Sequence, residues 1–392
     1  MDDPEYAPIP DDRYDEFRSV VRYAFSPEDG PAFEREEDRA PLGEARGLLT
    51  GDDLRSVCRH HHFRAFVRGE WRDLGGLSAV ATPPEFRRRG YVGRLVEESL
   101  AEYRERDWFL SALWPFSHPF YRQYGWATGA EYHTYECDPS VLGVATPEGE
   151  VRRVTADDWE ALDPVHRSRA DRWALTIERT ERWWRERVFD DWSSAPYVYA
   201  YERDGEVRGY LVYAIDEEGD GRVMELSDYA YTDREAFSAL CRFCADHDSQ
   251  VSRVRLRGPT DLGLHALVSD PADVHCERSA GAMVRLVDVE TALAALASPT
   301  AGSVVFEVTD TTAPWNDGRF ELAVEGTSAT CHESEADPDV RCDVGTLSQL
   351  SVGFRSVADA ERLGTFAVGD DRTRSLLADW FPAERVSLSD GF

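Results

Sequence analysis

Apolar residues recur with a helical period over residues 13–25, where Tyr14, Phe17, Val20, Val21 and Phe25 share one face. Val92, Leu95, Val96, Leu100 and Tyr103 predict a second amphipathic helix over 91–103. Between them, Phe63–Val67 alternates weakly, and residues 75–82 form a small apolar run stopped by Pro83 and Pro84. Both read as strands. Trp108–Leu113 reads as a buried strand and Pro119–Tyr124 as one or two helical turns closed by Gly125, with a strand following through Tyr135. The middle of this stretch is therefore strand, Arg/Gly loop, helix, strand, short helix, strand.

A second unit begins near Val151. Its pattern predicts a long amphipathic helix over 177–187, strands at 197–201, 209–215 and 224–229, a helix over 234–246 and a strand over 251–257. The order echoes the first unit with little sequence self-similarity. The small residues of 293–303 predict a linker. Strands at 303–308 and 319–325 and helices at 346–352, 356–363 and 373–380 then predict a small α+β domain at the end of the chain.

Composition narrows the function classes. The 392 residues carry 75 Asp+Glu against 44 Lys+Arg, a net charge of −31, and all the basic residues are Arg. Such a chain repels nucleic acid and anionic membranes, so neither is expected as a partner. The acids are spread along the whole length, as in a carboxylate coat suited to high salt; a site for a cationic partner is the other reading. The seven Cys are irregularly spaced, the start MDDPEYAPIP has neither a basic stretch nor an apolar core, and no apolar run approaches the ~20 residues of a membrane span. The expectation is a cytoplasmic protein with reduced thiols.

The chemistry concentrates between Pro84 and Trp126. Arg87-Arg88-Arg89-Gly90-Tyr91-Val92-Gly93 lies between a strand and a helix, where free backbone N–H groups and the helix dipole favour an anion. Gly90 allows close approach of the backbone. This is what a pyrophosphate requires, although a basic helix-capping loop would read the same way. Downstream, Phe116-Ser117-His118-Pro119-Phe120-Tyr121 places a phenol on the short helix ended by Gly125. Its reference pKa near 10 lies not far above that of a thiol, about 8.5, so Tyr121 could protonate a thiolate leaving group. It could equally be a core phenol.

Together the two motifs resemble the GNAT acetyltransferases: Arg87-x-x-Gly90 matches the start of their R-x-x-G-x-(G/A) pyrophosphate loop, and Phe120-Tyr121 with Gly125-Trp126 matches their F-Y-x-x-x-G-(F/W) element. The sixth loop position is Val92, with Gly93 one residue later, a departure from the pattern. The whole layout resembles the Eis family. The resemblance implies tandem GNAT folds (mixed sheets flanked by helices) and a sterol-carrier-like α+β domain: a catalytic domain at 1–150, a degenerate GNAT-like domain at 151–296 and the carrier-like domain at 297–392. It also implies acetyl-CoA as co-substrate, held by Val80, Ala81 and Thr82, by Arg87 to Gly93, and by Phe116 and Ser117, and a homo-oligomer, commonly a hexamer. Tyr121 would be the acid. The carboxylate of the terminal Phe392 would be the base, acting on a primary amine of a polyamine, an aminoglycoside-like molecule or a lysine side chain.

Other features read more plainly. In Arg255-Leu256-Arg257-Gly258, Pro259 follows at once and has no N–H for a phosphate. Cys241-x-x-Cys244 lacks a second pair, and His60-His61-His62 on a strand can turn only two rings one way, so no metal is expected. A competing function is a non-catalytic protein that binds a lipid or small apolar ligand in its last domain.

Overall fold

A computed structural model describes residues 3–29, 42–51, 53–143, 148–190, 195–219, 221–296 and 300–392. The chain forms two compact units. One holds Met1–Gly129, Ala282–Glu384 and Gly391–Phe392; the other holds Ala130–Gly281 and Arg385–Asp390.

The first unit is built on a seven-stranded sheet. In chain order its strands are β1 (Glu5–Pro8), β2 (Glu44–Thr50), β3 (Asp53–Val67), β4 (Glu70–Ala81), β5 (Leu110–Leu113) and β6 (Ala127–Thr128). The seventh, Met283–Leu286, lies between β5 and β6 and is antiparallel to both. Helix α1 (Tyr14–Phe25) buries Phe17, and α2 (Tyr91–Glu105) buries Leu95, Val96, Ser99, Leu100 and Tyr103. At roughly 1.5–3 kcal/mol for each large apolar side chain removed from water, that stripe fixes α2 to the sheet. The same unit contains a five-stranded sheet from the end of the chain, in the order Ser328–Glu333, Gly318–Glu325, Gly302–Thr309, Val340–Asp343, Phe366–Val368. Its helix Val344–Ser351 is buried along its whole length.

The second unit has its own seven-stranded sheet, in the order Val274–Ala280, Glu131–Cys137, Arg253–Pro259, Gly221–Tyr231, Glu206–Glu218, Tyr197–Arg203, Glu150–Arg153. The helix Arg234–Ala245 packs against it, with Cys241 and Cys244 buried as free thiols. Arg255–Pro259 is strand, paired with Glu136–Tyr132.

Several elements differ from their sequence expectation. The sheets are assembled across the expected domain boundaries: Glu131–Cys137 joins the second sheet and Met283–Leu286 the first. The long helix expected over 177–187 is one α-helical turn, Glu181–Trp183, continued as a π-turn through Val188. The expected linker begins inside a helix, Val289–Leu296, whose Leu293 and Leu296 are buried with Val289 and Ala292; residues 297–299 lie outside the described residues. The weakly alternating Phe63–Val67 is only the end of a fifteen-residue strand, masked in sequence by its Arg and His. Those histidines find separate partners: His60 meets Ser99, His61 meets Ser78 and His62 meets Asp73. No helix among the described residues is long and apolar enough to cross a membrane.

Candidate active site

The site grows from a break between two parallel strands. β4 and β5 pair only at Gly75 with Ser111 and Gly76 with Ala112. Beyond Gly76, β4 runs on to Ala81 with no strand among the described residues on that side. Its peptide groups there are left to hydrogen-bond something other than the sheet. A bulge adds to the splay. Val57 faces Ala81 and Arg59 faces Ser78, so Ala79 and Val80 together oppose Cys58, and Ala79 takes a left-handed φ of 51°. Val80 and Ala81 are buried. The Ser56 hydroxyl donates to the Ala81 carbonyl at 3.1 Å and meets the Thr82 hydroxyl at 2.9 Å, holding the end of the strand in place.

The chain then turns through Pro84–Phe86 into the arginine loop. Arg88 (φ 59°) and Gly90 (φ 82°) are both left-handed, and Gly90 caps α2. A Cβ at Gly90 would meet nothing within 4 Å, so glycine is required here by φ rather than by crowding. The first bond of α2 runs from the Arg94 N–H to the Gly90 carbonyl at 3.2 Å, and no side chain caps the helix. The N–H groups of Tyr91, Val92 and Gly93 therefore open out of the helix start, an anion-binding arrangement. Val92, where the motif departs from the family pattern, turns its half-buried side chain onto the core. Arg87, Arg88 and Arg89 are exposed. The Arg87 Nε donates to the Thr82 carbonyl at 3.1 Å, and the Arg89 guanidinium lies over Phe86. Arg88 has no protein partner among the described residues.

Tyr121 sits on α3 (His118–Arg122), which starts at Ser117. The end of α3 is well specified. Gly125 is left-handed (φ 84°), its N–H bonds the Arg122 carbonyl at 3.0 Å, and the Trp126 N–H bonds the Tyr121 carbonyl at 3.3 Å. That double closure is a Schellman motif, completed by the Trp126 ring edge-on to Tyr121. The Tyr121 ring also touches Phe116 and Phe120, and the residue is 4% exposed. Its hydroxyl makes no hydrogen bond to protein among the described residues, yet it is not among their sealed, unsatisfied polar atoms and so still reaches open space. Burial, then the neighbouring Cys58 and Tyr124, push the phenol above its ordinary pKa, so it stays protonated at neutral pH. Phe116 beside it is 66% exposed.

The last residue returns to this sheet. The Phe392 ring stands 4.8 Å from the Phe63 ring and 5.6 Å from His61, and a Cβ on Gly76 would come within 2.9 Å of it. It thus lies on β4 at the point where β4 and β5 part. Neighbouring residues of a strand face opposite ways. A Cβ on Gly75 would strike Tyr103 of α2, so Phe392 is on the face away from α2. Tyr121 lies on the α2 face, in one cluster with Cys58, Leu77, Val80 and Leu95. The phenol and the terminal residue therefore flank the open edge of β4 from opposite sides. Gly76 and the bulge at Ala79 were not singled out in the sequence; the available signal was the Gly75-Gly76 pair within a strand.

Two further features bear on the chemistry. Cys58 is fully buried and burial pushes its thiol up to about 12, so it is not a nucleophile. A cavity of about 330 Å³ opens between α1 and the Pro83–Phe86 turn, walled by Glu16, Tyr23, Asp53 and Glu85. Glu16 pairs with Arg13 and Asp53 with Arg55, whereas Glu85 has no protein partner among the described residues.

A bulged strand that parts from its neighbour, an anion-binding arrangement at a helix start, and a phenol on the same face of the sheet are chemically suited to an acyl group carried on a diphosphate-bearing thioester. Family comparisons agree. Residues 5–129 and residues 175–286 each match an acetyltransferase (GNAT) domain, and residues 289–389 match a sterol carrier protein domain. The chain is an acetyltransferase of the GNAT class. It is similar to an uncharacterized N-acetyltransferase of Streptomyces avermitilis (28% identical over 359 residues, 86% of this chain and 88% of that protein) and to one of Streptomyces griseus (29% over 358 residues, 82% and 85%). Its fold is that of a probable N-acyltransferase of Enterococcus faecalis (24% identical, TM-score 0.88, 99% of each chain). The same three-domain fold is that of Eis1 from Mycobacterium abscessus (22% identical, TM-score 0.78, 99% of this chain and 100% of that one).

Proposed function

We propose that this acetyltransferase moves acetyl from acetyl-CoA to a primary amine by direct attack, with Tyr121 as acid and the Phe392 carboxylate as base. The observation that supports the reading is the position of the Tyr121 ring and the Phe392 ring on opposite faces of β4 where it leaves β5. An amine reaching the thioester from one face then has its base on its own side and the leaving sulfur on the other. The N–H groups of Tyr91, Val92 and Gly93 hold the pyrophosphate, with Arg87, Arg88 and Arg89 adding charge. The free edge of β4 from Leu77 to Thr82 pairs with the amide-rich arm, and Phe116 and Ser117 wall its far side.

The Phe392 carboxylate, directly or through a water, accepts a proton from the attacking amine. The new C–N bond forms, the C–S bond breaks, and the Tyr121 hydroxyl gives its proton to the departing sulfur. Burial raises the phenol, which by itself makes this transfer harder. The same desolvation raises the pKa of the thiol formed beside it, so the two stay matched. The carboxylates of the cavity beside α1 suit a cationic acceptor, whether a small polyamine, an aminoglycoside-like amine or a lysine side chain.

The test is acetyl-CoA-dependent thiol release across a panel of amines, in molar salt, for the intact chain and for the chain lacking Phe392. The shortened chain should bind acetyl-CoA, seen as a thermal shift, and turn over poorly, most of all at low pH where fewer amines are neutral. Equal turnover at every pH would remove the carboxylate from the mechanism. We read the charge of −31 as an adaptation to salt. The melting temperature should then rise between about 0.1 M and molar salt as self-repulsion is screened, and a flat response would exclude that reading.

A further inference from the structure

The helix that carries Tyr121 ends against a buried cation. Arg285 lies in the strand Met283–Leu286, within the apolar run Ala282–Val287, and its side chain is 0% exposed. One branch of its guanidinium (Nη1) donates to the carbonyl of Tyr124, a group left without a helical partner where α3 stops. The other branch (Nη2) donates to Asp310 Oδ2 at 2.5 Å, and that carboxylate is 1% exposed. Asp310 follows the strand Gly302–Thr309 of the C-terminal domain. It is held in turn: Oδ1 accepts the N–H groups of Thr312 and Ala313, and Oδ2 accepts the Asn316 amide at 3.2 Å. The Arg285 guanidinium also lies over the Trp126 ring, the residue that closes the helix end onto Tyr121. Gly125 leaves the room this requires, since a Cβ there would fall 1.6 Å from Nη1.

We propose that Arg285 is a positioning residue for Tyr121, and that Asp310 makes the C-terminal domain part of the acid's support. The geometry favours positioning over plain stability. A buried ion pair adds little net stability compared with apolar side chains of the same volume, because two charges must be desolvated. A forked guanidinium, however, fixes two acceptors in one plane, here the carboxylate of one domain and the Tyr124 carbonyl just past the helix bearing the phenol. A phenol with no hydrogen bond of its own among the described residues depends on its helix and ring neighbours for its aim. The inference rests on Tyr121 being the acid.

The experiment uses the full chain and four variants: Arg285→Lys, the double change Arg285→Met with Asp310→Leu, Tyr121→Phe, and Tyr121→Phe combined with Arg285→Lys. Lysine keeps a charge for Asp310 but cannot fork to Tyr124. We expect Arg285→Lys to lower kcat by about tenfold or more with the KM for acetyl-CoA little changed. The apolar pair should restore the melting temperature without restoring kcat. In the Tyr121→Phe background, Arg285→Lys should cost almost nothing more, since it acts through the phenol. If the apolar pair recovers kcat along with stability, or if the two effects simply multiply, the positioning role is wrong while the acid role stands. If Tyr121→Phe alone leaves kcat unchanged, the acid role itself fails and this inference fails with it.

Discussion

Replacing Tyr121 by Phe isolates one atom of the proposed mechanism. The ring keeps its contacts with Phe116, Phe120 and Trp126, and the lost hydroxyl has no protein partner among the described residues, so none of their donors or acceptors is orphaned. The stability change should stay under about 1 kcal/mol, the scale of an ordinary hydrogen bond that here is not made. The chemical step should suffer far more. Loss of a positioned acid costs typically ~10²–10⁴-fold, or roughly 3–5 kcal/mol of barrier. The loss should appear in kcat with the KM for acetyl-CoA nearly unchanged, because the loop at Arg87–Gly93 is untouched. The assay is continuous thiol release with a saturating amine, alongside a melting curve. A thioester with a more acidic thiol should narrow the gap between variant and parent, since its sulfur leaves without a proton. Because burial holds the phenol above its ordinary value, the parent should not lose kcat through its ionisation below pH 10. Parent-like kcat in the variant, or a fall matched by an equal loss of folded protein, would refute the reasoning.

Gly90→Ala must place a Cβ at φ 82°, a strain of roughly 1–2 kcal/mol, and should raise the KM for acetyl-CoA several-fold while kcat at saturation survives; unchanged KM would count against the loop. Stability should fall as the medium is acidified. Burial lowers His60 to about 3, so the ring stays neutral in the fold and protonates first in the unfolded chain, from about pH 6.5 downward. That one group should cost about 2 kcal/mol between pH 6.5 and 5, and His60→Gln should flatten the melting-temperature curve across that window. Burial would raise Glu102, but hydrogen bonds from Arg46 and Tyr6 bring it to about 2, adding a further loss as pH drops from about 4.5 toward 2. Residues 1–150 expressed alone lack Met283–Leu286, leaving β6 unpaired and β5 held only by its two-residue pairing with β4, and should show no cooperative melting; a sharp transition with an acetyl-CoA shift would overturn that expectation.

Local physics was legible along the chain. The period of Val92, Leu95, Val96, Leu100 and Tyr103 marked α2 because one helix face must be apolar to meet the sheet, and the Arg/Gly string before it marked an anion site because a helix start leaves its N–H groups unpaired. Gly125 marked the end of α3 for the same local reason, a left-handed φ. What escaped was everything set by contacts between distant residues. Nothing near Met283 says that its strand fills the gap between β5 and β6, since strand pairing depends on which edge is vacant elsewhere. Arg285, inside the apolar run Ala282–Val287, was not singled out in the sequence, and only the fold supplied its partners, Asp310 and the Tyr124 carbonyl. The phenol of Tyr121 was legible in the sequence as a candidate acid, whereas Phe392 entered only through the family resemblance; the position of their rings on opposite faces of β4 was decided by the tertiary structure, because facing is fixed by strand register and by where Phe392 comes to rest.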